Sequence, residues 1–209
     1  SGHLDTCKLA EAVQGVENIY CQERTVRADR MAVCVLVDES GSMEGGKIEA
    51  ARDTAVLLNE AISGIRNVDL YIYGHTTENG QFVKLNAYRE GKAPKDKHVL
   101  GSIDADWSNI DSKAIREAAS RVRARTREKC LFFVVSDGAP CEPVDNVRKA
   151  VKELSRDGFS FVSIGIDFEY DPSAMYDHHV SMTDMSRLAP ELGKMIKKAI
   201  MDNSKRQWK

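Results

Sequence analysis

From residue 31 onward, hydrophobic and polar positions divide the chain into short apolar runs alternating with longer periodic stretches. Met31 to Val37 is apolar at every position, as a strand covered on both faces should be, and it ends at Asp38. Beyond the polar loop Glu39 to Gly46, Ile48, Ala51, Ala55, Leu58 and Ile62 recur at spacings of three and four, which predicts an amphipathic helix. Val68 to Gly74 alternates as a strand, and Asn79-Gly80 before Gln81 to Leu85 predicts a hairpin. Ala114, Ile115, Ala118, Ala119 and Val122 predict a second helix, with Asp111 or Ser112 as its N-cap. Cys130 to Val135 reads as another buried strand, ending in Ser136-Asp137-Gly138-Ala139-Pro140. A helix with Val144, Val147, Ala150, Val151 and Leu154 inward follows, then a strand from Phe159 to Ile166. Asp177-His178-His179 leads into a short last strand, and Leu188, Leu192, Met195, Ile196, Ala199 and Ile200 predict a closing helix. Residues 88–106 read as a charged, irregular surface loop with Lys92, Lys95, Lys97 and His98 clustered.

Strand and helix alternating with one hairpin argue for an α/β fold. The expected architecture is a doubly wound, mostly parallel sheet with one antiparallel edge strand and helices on both faces. Residues 4–20 place Leu9, Ala12, Val13, Val16 and Ile19 at helical spacing, so 1–30 is expected to be an N-terminal helix and a charged connector. Ser1-Gly2-His3 reads as a tag remnant, 31–202 as one domain and 203–209 as a frayed tail.

The chemistry sits where the strands end. Asp38, Ser40 and Ser42 alternate, so an extended loop curling over the strand end can point all three inward. One carboxylate with two hydroxyls is a hard, weakly charged oxygen set, suited to Mg²⁺ or Mn²⁺ rather than Zn²⁺. Asp137 is a second strand-end acid, and parallel strands flanking a switch point would bring it beside Asp38. Two such carboxylates repel unless a cation or a proton lies between them. The plainer alternative is that these side chains only cap helices and turns.

Two enzyme readings compete. Gly41 to Lys47 satisfies G-x-x-x-x-G-K, but Ile48 stands where a phosphate loop has its magnesium-binding Ser or Thr, and Glu44 would put a negative charge in the cradle. A phosphoryl-accepting Asp38 would want a second acid two residues on, where Ser40 stands. His75 lies at the same sheet edge as Asp38, although a lone His is more often a hydrogen-bonded structural residue. Asp177-His178-His179 lacks the second ligand pair of a zinc site.

Composition narrows the partners. The 30 Lys+Arg against 32 Asp+Glu give no basic surface for nucleic acid. No apolar run is long enough to span a bilayer, and no secretory signal is present. Five cysteines, an odd number with no C-x-x-C pair, point to reduced thiols and a cytoplasmic setting.

The buried strand, Asp38-Glu39-Ser40-Gly41-Ser42-Met43 and the helix after it resemble the start of a von Willebrand factor A (VWA) domain with its metal-ion-dependent adhesion site (MIDAS). The resemblance covers 31–202. In that family the loop before the next helix supplies a Thr ligand. Counting back from Ala114-Ile115 puts Asn109 there instead, a neutral amide that can offer a hard carbonyl oxygen. Asp111, two residues on, could ligate the ion or hold one of its waters. Asn109-Ile110-Asp111, followed by the Ser136 to Pro140 strand end, more narrowly resembles the VWA-bearing subunit of aerobic cobaltochelatases.

The resemblance implies binding rather than turnover, with no catalytic residue. Mg²⁺ or Mn²⁺ would be held among Asp38, Ser40, Ser42, Asn109, Asp111 and Asp137, and an Asp or Glu of a partner protein would complete its shell. It further implies an AAA+ ATPase partner of the chelatase or MoxR type, for which this chain is an adaptor. A nucleotide-binding protein using Gly41 to Lys47, or a VWA scaffold with an inactive site, remain the alternatives.

Overall fold

Eight consecutive buried residues make Met31–Asp38 (β1) the centre of the molecule. The computed structural model describes residues 3–4, 20–21, 30–91, 97–167, 170–181 and 194. After β1 come α1 (Gly46–Ser63), β2 (Val68–Glu78), β3 (Phe82–Glu90), α2 (Asp111–Arg125), β4 (Cys130–Ser136), α3 (Val144–Arg156), β5 (Phe159–Gly165) and β6 (His179–Ser181). The six-stranded sheet runs β3-β2-β1-β4-β5-β6, with only β2 and β3 antiparallel. The fold is the expected doubly wound one, and the order reverses at β1.

Alternation sorts each strand's side chains between two cores. Val33, Val35, Val37, Leu70, Ile72, Phe133, Val135 and Ile164 pack with Ile48, Ala51, Ala55, Leu58 and Ile62 of α1. On the opposite face, Cys34, Leu36, Tyr73, Phe132, Val134 and Phe161 meet Ala114, Ile115, Ala118, Ala119 and Val122 of α2, and Val147 and Val151 of α3. A strand serving both cores must be apolar throughout, which is why β1 and β4 have no polar face.

The hairpin forms at Asn79-Gly80. Both residues have positive φ (54° and 68°), as a type I′ turn requires, and Gln81 N–H closes the turn on Glu78 C=O at 3.2 Å. β3 runs further than the sequence pattern suggested: Tyr71 pairs with Glu90, so residues 88–90 belong to the sheet and not to a loop. The segment beyond is tied down too, with Leu100 and Ile103 in the core under α1 and Arg52 donating to the Ile103 carbonyl at 2.7 and 3.0 Å. Lys92 and Lys95 lie outside the described residues.

At the N-terminus, Leu4 and Tyr20 are not helix ends; they pair with each other in a short antiparallel ladder, His3–Leu4 with Tyr20–Cys21. The apolar period at 9–19 carries no information about either end, and those residues lie outside the described set. Of the closing helix predicted around 188–200, only Lys194 is described, and it is helical. No helix among the described residues is long and apolar enough to cross a membrane.

Cys34, Cys130 and Cys141 are free thiols, with Cys34 and Cys130 buried and Cys141 exposed. Burial pushes the Cys130 thiol up to about 12, against the opposing charge of Arg123, and pushes Cys34 up as well. Native protein treated with a thiol alkylating reagent near pH 8 is therefore expected to label at Cys141 before Cys34 and Cys130. With the thiolate as the reactive form, a pKa displaced by about three units slows Cys130 by roughly a thousandfold. Peptide mass spectrometry reads the order; equal labelling of Cys130 and Cys141 would contradict this packing.

Candidate metal centre

Chain order and register carry three loops to the carboxyl end of β1. Asp38 pairs with His75 across β1 and β2, and Val37 pairs with Val135 of β4 on the other side. The first loop is laced to the segment before α2: Gly41 N–H donates to the Trp107 carbonyl (2.8 Å) and Asp106 N–H to the Glu39 carbonyl (2.7 Å). Thr76 Oγ1 on β2 donates to the Asp106 carbonyl at 2.7 Å. The loop after β4 joins through Cys141 N–H, which donates to Asn109 Oδ1 at 2.8 Å.

Asp38 is wholly buried at the centre. Its Oδ1 accepts Ser40 N–H at 2.9 Å, and its Oδ2 accepts Asn109 Nδ2 at 3.0 Å. Ser40 Oγ and Ser42 Oγ share a 3.1 Å hydrogen bond, with Ser40 buried and Ser42 at the exposed mouth. Asn109 also donates to the Ala139 carbonyl at 3.3 Å, so it spans the loops bearing Asp38 and Asp137. Its amide oxygen faces the Cys141 N–H and its amino group faces Asp38. Asp137 accepts Ala139 N–H on Oδ1 (3.2 Å) and the Lys47 ammonium on Oδ2 (2.9 Å).

Asp111 opens α2, where the positive end of the helix favours an anion, yet it is buried and its Oδ1 has no hydrogen-bond partner among the described residues. Burial, reinforced by the charges of Asp38, Glu142 and Asp137, raises its carboxyl well above the ordinary range. Ligand atoms of Asp38, His75 and Asp111 all lie within 4.8 Å of one another. Asp137 lies outside that trio and joins it through Asn109 and the Ala139 carbonyl.

Several participants carried no signal in the sequence. The α2 N-terminus is not capped by Asp111 or Ser112: Ile110 is the N-cap residue, and no side chain of its own bonds there. Glu142, thirty positions away, accepts Ser112 N–H and Ser112 Oγ, both at 2.6 Å. A carboxylate from a neighbouring loop satisfies the first turn better than a local hydroxyl because it also complements the helix dipole. Tyr176, buried against the same acids, has its hydroxyl without a partner among the described residues. Burial raises its pKa, helped first by Asp111 and then by Asp38 and Glu142.

Glu39 points away from the centre into its own niche. It lies across Gly74, accepting Asn86 Nδ2 on Oε2 (2.6 Å) and Tyr88 OH on Oε1 (2.5 Å). Burial raises its pKa and the neighbouring Asp38 charge adds to this, while the bonds from Tyr88 and Asn86 oppose it.

The Gly41 to Lys47 stretch does not make a phosphate cradle. Three of its amides are taken by backbone carbonyls: Gly41 by Trp107, Met43 by Ser40 and Glu44 by Gly41. Lys47 turns to Asp137. A nest for phosphate needs those N–H groups facing a ligand.

Comparison with known proteins agrees with this fold. A model of the von Willebrand factor type A domain matches residues 32–193. Among solved structures, a von Willebrand factor type A protein from Catenulispora acidiphila superposes with a TM-score of 0.64 at 14% identity, over 82% of this chain and 43% of that one. Conserved hypothetical protein BatB from Bacteroides thetaiotaomicron gives 0.61 at 14% identity, covering 80% of this chain and 98% of its own. Proximal thread matrix protein 1 of the mussel byssus, with a zinc-occupied MIDAS motif, gives 0.60 at 12% identity over 83% and 46%. At these identities the likeness is one of fold, and this chain spans less than half the length of the Catenulispora protein.

Proposed function

This chain belongs to the von Willebrand factor type A domain family, and from that premise we propose that its strand-end loops hold one divalent cation through which a partner protein's acidic side chain is bound. The observation that carries the reading is the convergence of buried Asp38 and Asp111, with one Asp111 oxygen lacking any partner among the described residues. Like charges so placed are stable only with a proton or cation to compensate them. The donor set fits a hard divalent ion: Ser40, Ser42 and Asp111 face the mouth or the centre, and Asp38 and Asp137 supply further charge. Asn109 acts through Asp38, whose Oδ2 it holds with its amino group. Bound there, Mg²⁺ or Mn²⁺ supplies an electrophilic coordination position open to an incoming carboxylate.

The rim suits a protein partner. Trp107, at 64% exposure, stands where the loop before α2 meets Gly41, and exposed aromatic anchors are typical of interface hot spots. VWA domains are in general non-catalytic interaction modules. The finer reading is an adaptor for a ring-forming AAA+ ATPase of the chelatase or MoxR type, working in the cytoplasm. The stretch from Asn109 to Pro140 supports it by resemblance to the cobaltochelatase subunit.

Calorimetric titration of chelator-treated protein with Mg²⁺ and Mn²⁺ tests the metal reading, with one saturable site per chain expected. Co-precipitation with a candidate AAA+ ATPase should be lost in chelator and restored by Mg²⁺. Capture indifferent to chelator would leave only a scaffold with an inactive site.

A further inference from the structure

The side chain that the proposed ligand set leaves unexplained is His75. It is 1% exposed, and neither Nδ1 nor Nε2 has a hydrogen-bond partner among the described residues. Buried imidazoles are ordinarily fixed by at least one such bond, because one ring nitrogen of the neutral form is a donor and the other an acceptor. Its Nε2 lies 3.9 Å from Asp111 Oδ1, the carboxylate oxygen that also lacks a partner. That separation is too long for a hydrogen bond, so the nitrogen and the oxygen face each other across a gap that neither fills. Register fixes the arrangement: His75 is the β2 partner of Asp38, so the two side chains leave the same face of the sheet, towards the N-terminus of α2 where Asp111 sits.

We propose that His75 is a direct nitrogen ligand of the cation, and that this donor beside Asp38 and Asp111 makes the site select a transition-metal ion such as Mn²⁺ or Zn²⁺ over Mg²⁺. The inference rests on the reading that a divalent cation binds at this centre. Three donors held at about 2.1 Å from one ion stand roughly 3.0–3.6 Å from one another, so atoms already within 4.8 Å need to close by at most about 1–2 Å, within reach of side-chain rotation. Neutral imidazole is a borderline ligand that suits Zn²⁺ and Fe²⁺ best and is accepted by Mn²⁺ more readily than by Mg²⁺, which prefers an all-oxygen shell that retains water. One ion would satisfy at once a ring nitrogen and the Asp111 oxygen. Neither the two hydroxyls nor Asp137 can do that for His75.

Electron spin echo spectroscopy of the Mn²⁺-loaded protein provides the test, because a directly bound imidazole nitrogen modulates the echo. Wild-type protein is expected to show that modulation, and His75→Gln to lose it. By calorimetry, His75→Gln should lower Mn²⁺ affinity by about tenfold or more while Mg²⁺ affinity stays within about threefold, so the preference narrows. The wild-type spectrum needs no variant to fold, and a thermal melt in chelator checks the variant. Mn²⁺ bound without nitrogen modulation would overturn the role of His75 and leave the metal-dependent module standing. Failure of wild-type protein to bind either ion would overturn both.

Discussion

Replacing Asp38 with alanine is expected to abolish the thermal stabilisation that a divalent ion gives the wild-type protein. An ion that binds only the folded state at about one hundred times its Kd contributes about 2.7 kcal/mol, or roughly 5–10 °C in Tm for a domain of this size. Asp38 lies at the centre of the loops, and its two oxygens order Ser40 through the backbone and Asn109 through the side chain. Without it the first loop loses both its anionic donor and its internal brace. The Asp38→Ala shift in saturating Mg²⁺ or Mn²⁺ should be below about 1 °C, and partner capture should vanish with it. In chelator the variant should melt close to wild type. Two hydrogen bonds are lost, but so is the repulsion that helps to raise the Asp111 and Glu39 carboxyls. Differential scanning fluorimetry with and without metal separates these effects; a variant that keeps the metal-dependent shift would remove Asp38 from the site.

Gly74→Ala should cost substantial stability although it adds only one methyl group. A Cβ at Gly74 would lie 1.9 Å from Glu39 Oε1 and 2.2 Å from its Cδ. Glu39 is 1% exposed and is held by Asn86 and Tyr88, so it has no nearby alternative position. Displacing it breaks both bonds and shifts the backbone between Asp38 and Ser40. Overpacking together with lost buried hydrogen bonds costs about 2–4 kcal/mol, or roughly 5–15 °C in Tm. Gly74→Ala combined with Glu39→Ala should recover part of that loss, because the half-buried Asn86 and Tyr88 can turn to water. A coupling energy of about 1–3 kcal/mol in the double-mutant cycle is expected, and additive losses would mean that Glu39 is not what Gly74 makes room for.

How much of this could be read beforehand varies with the range of the interaction. Asp38, Ser40 and Ser42 were legible because strand, loop and helix are contiguous and each announces itself by periodicity. Asp137 was legible because a second all-apolar run delivers an acid at its end. Asn109 was placed by counting from the next helix, but its amide orientation depends on Cys141, thirty-two residues on. The cap on α2 departs from the local pattern for a related reason: local rules favour a nearby Asp or Ser, and Glu142 arrives through the fold. The pattern puts His75 at the same edge as Asp38, but only strand pairing makes it a register partner whose nitrogens have no bond among the described residues.

The sequence by itself determined the α/β class, the buried strands, the hairpin and the first site loop, since these follow from periods of two and 3.6 and from turn chemistry within a few residues. Only the tertiary structure decided which distant groups face one another: Asp111 and His75 across Asp38, Glu142 on α2, Lys47 on Asp137 and Glu39 over Gly74. Those pairings are set by strand order and register, which place residues tens of positions apart within hydrogen-bond range and leave no local trace along the chain.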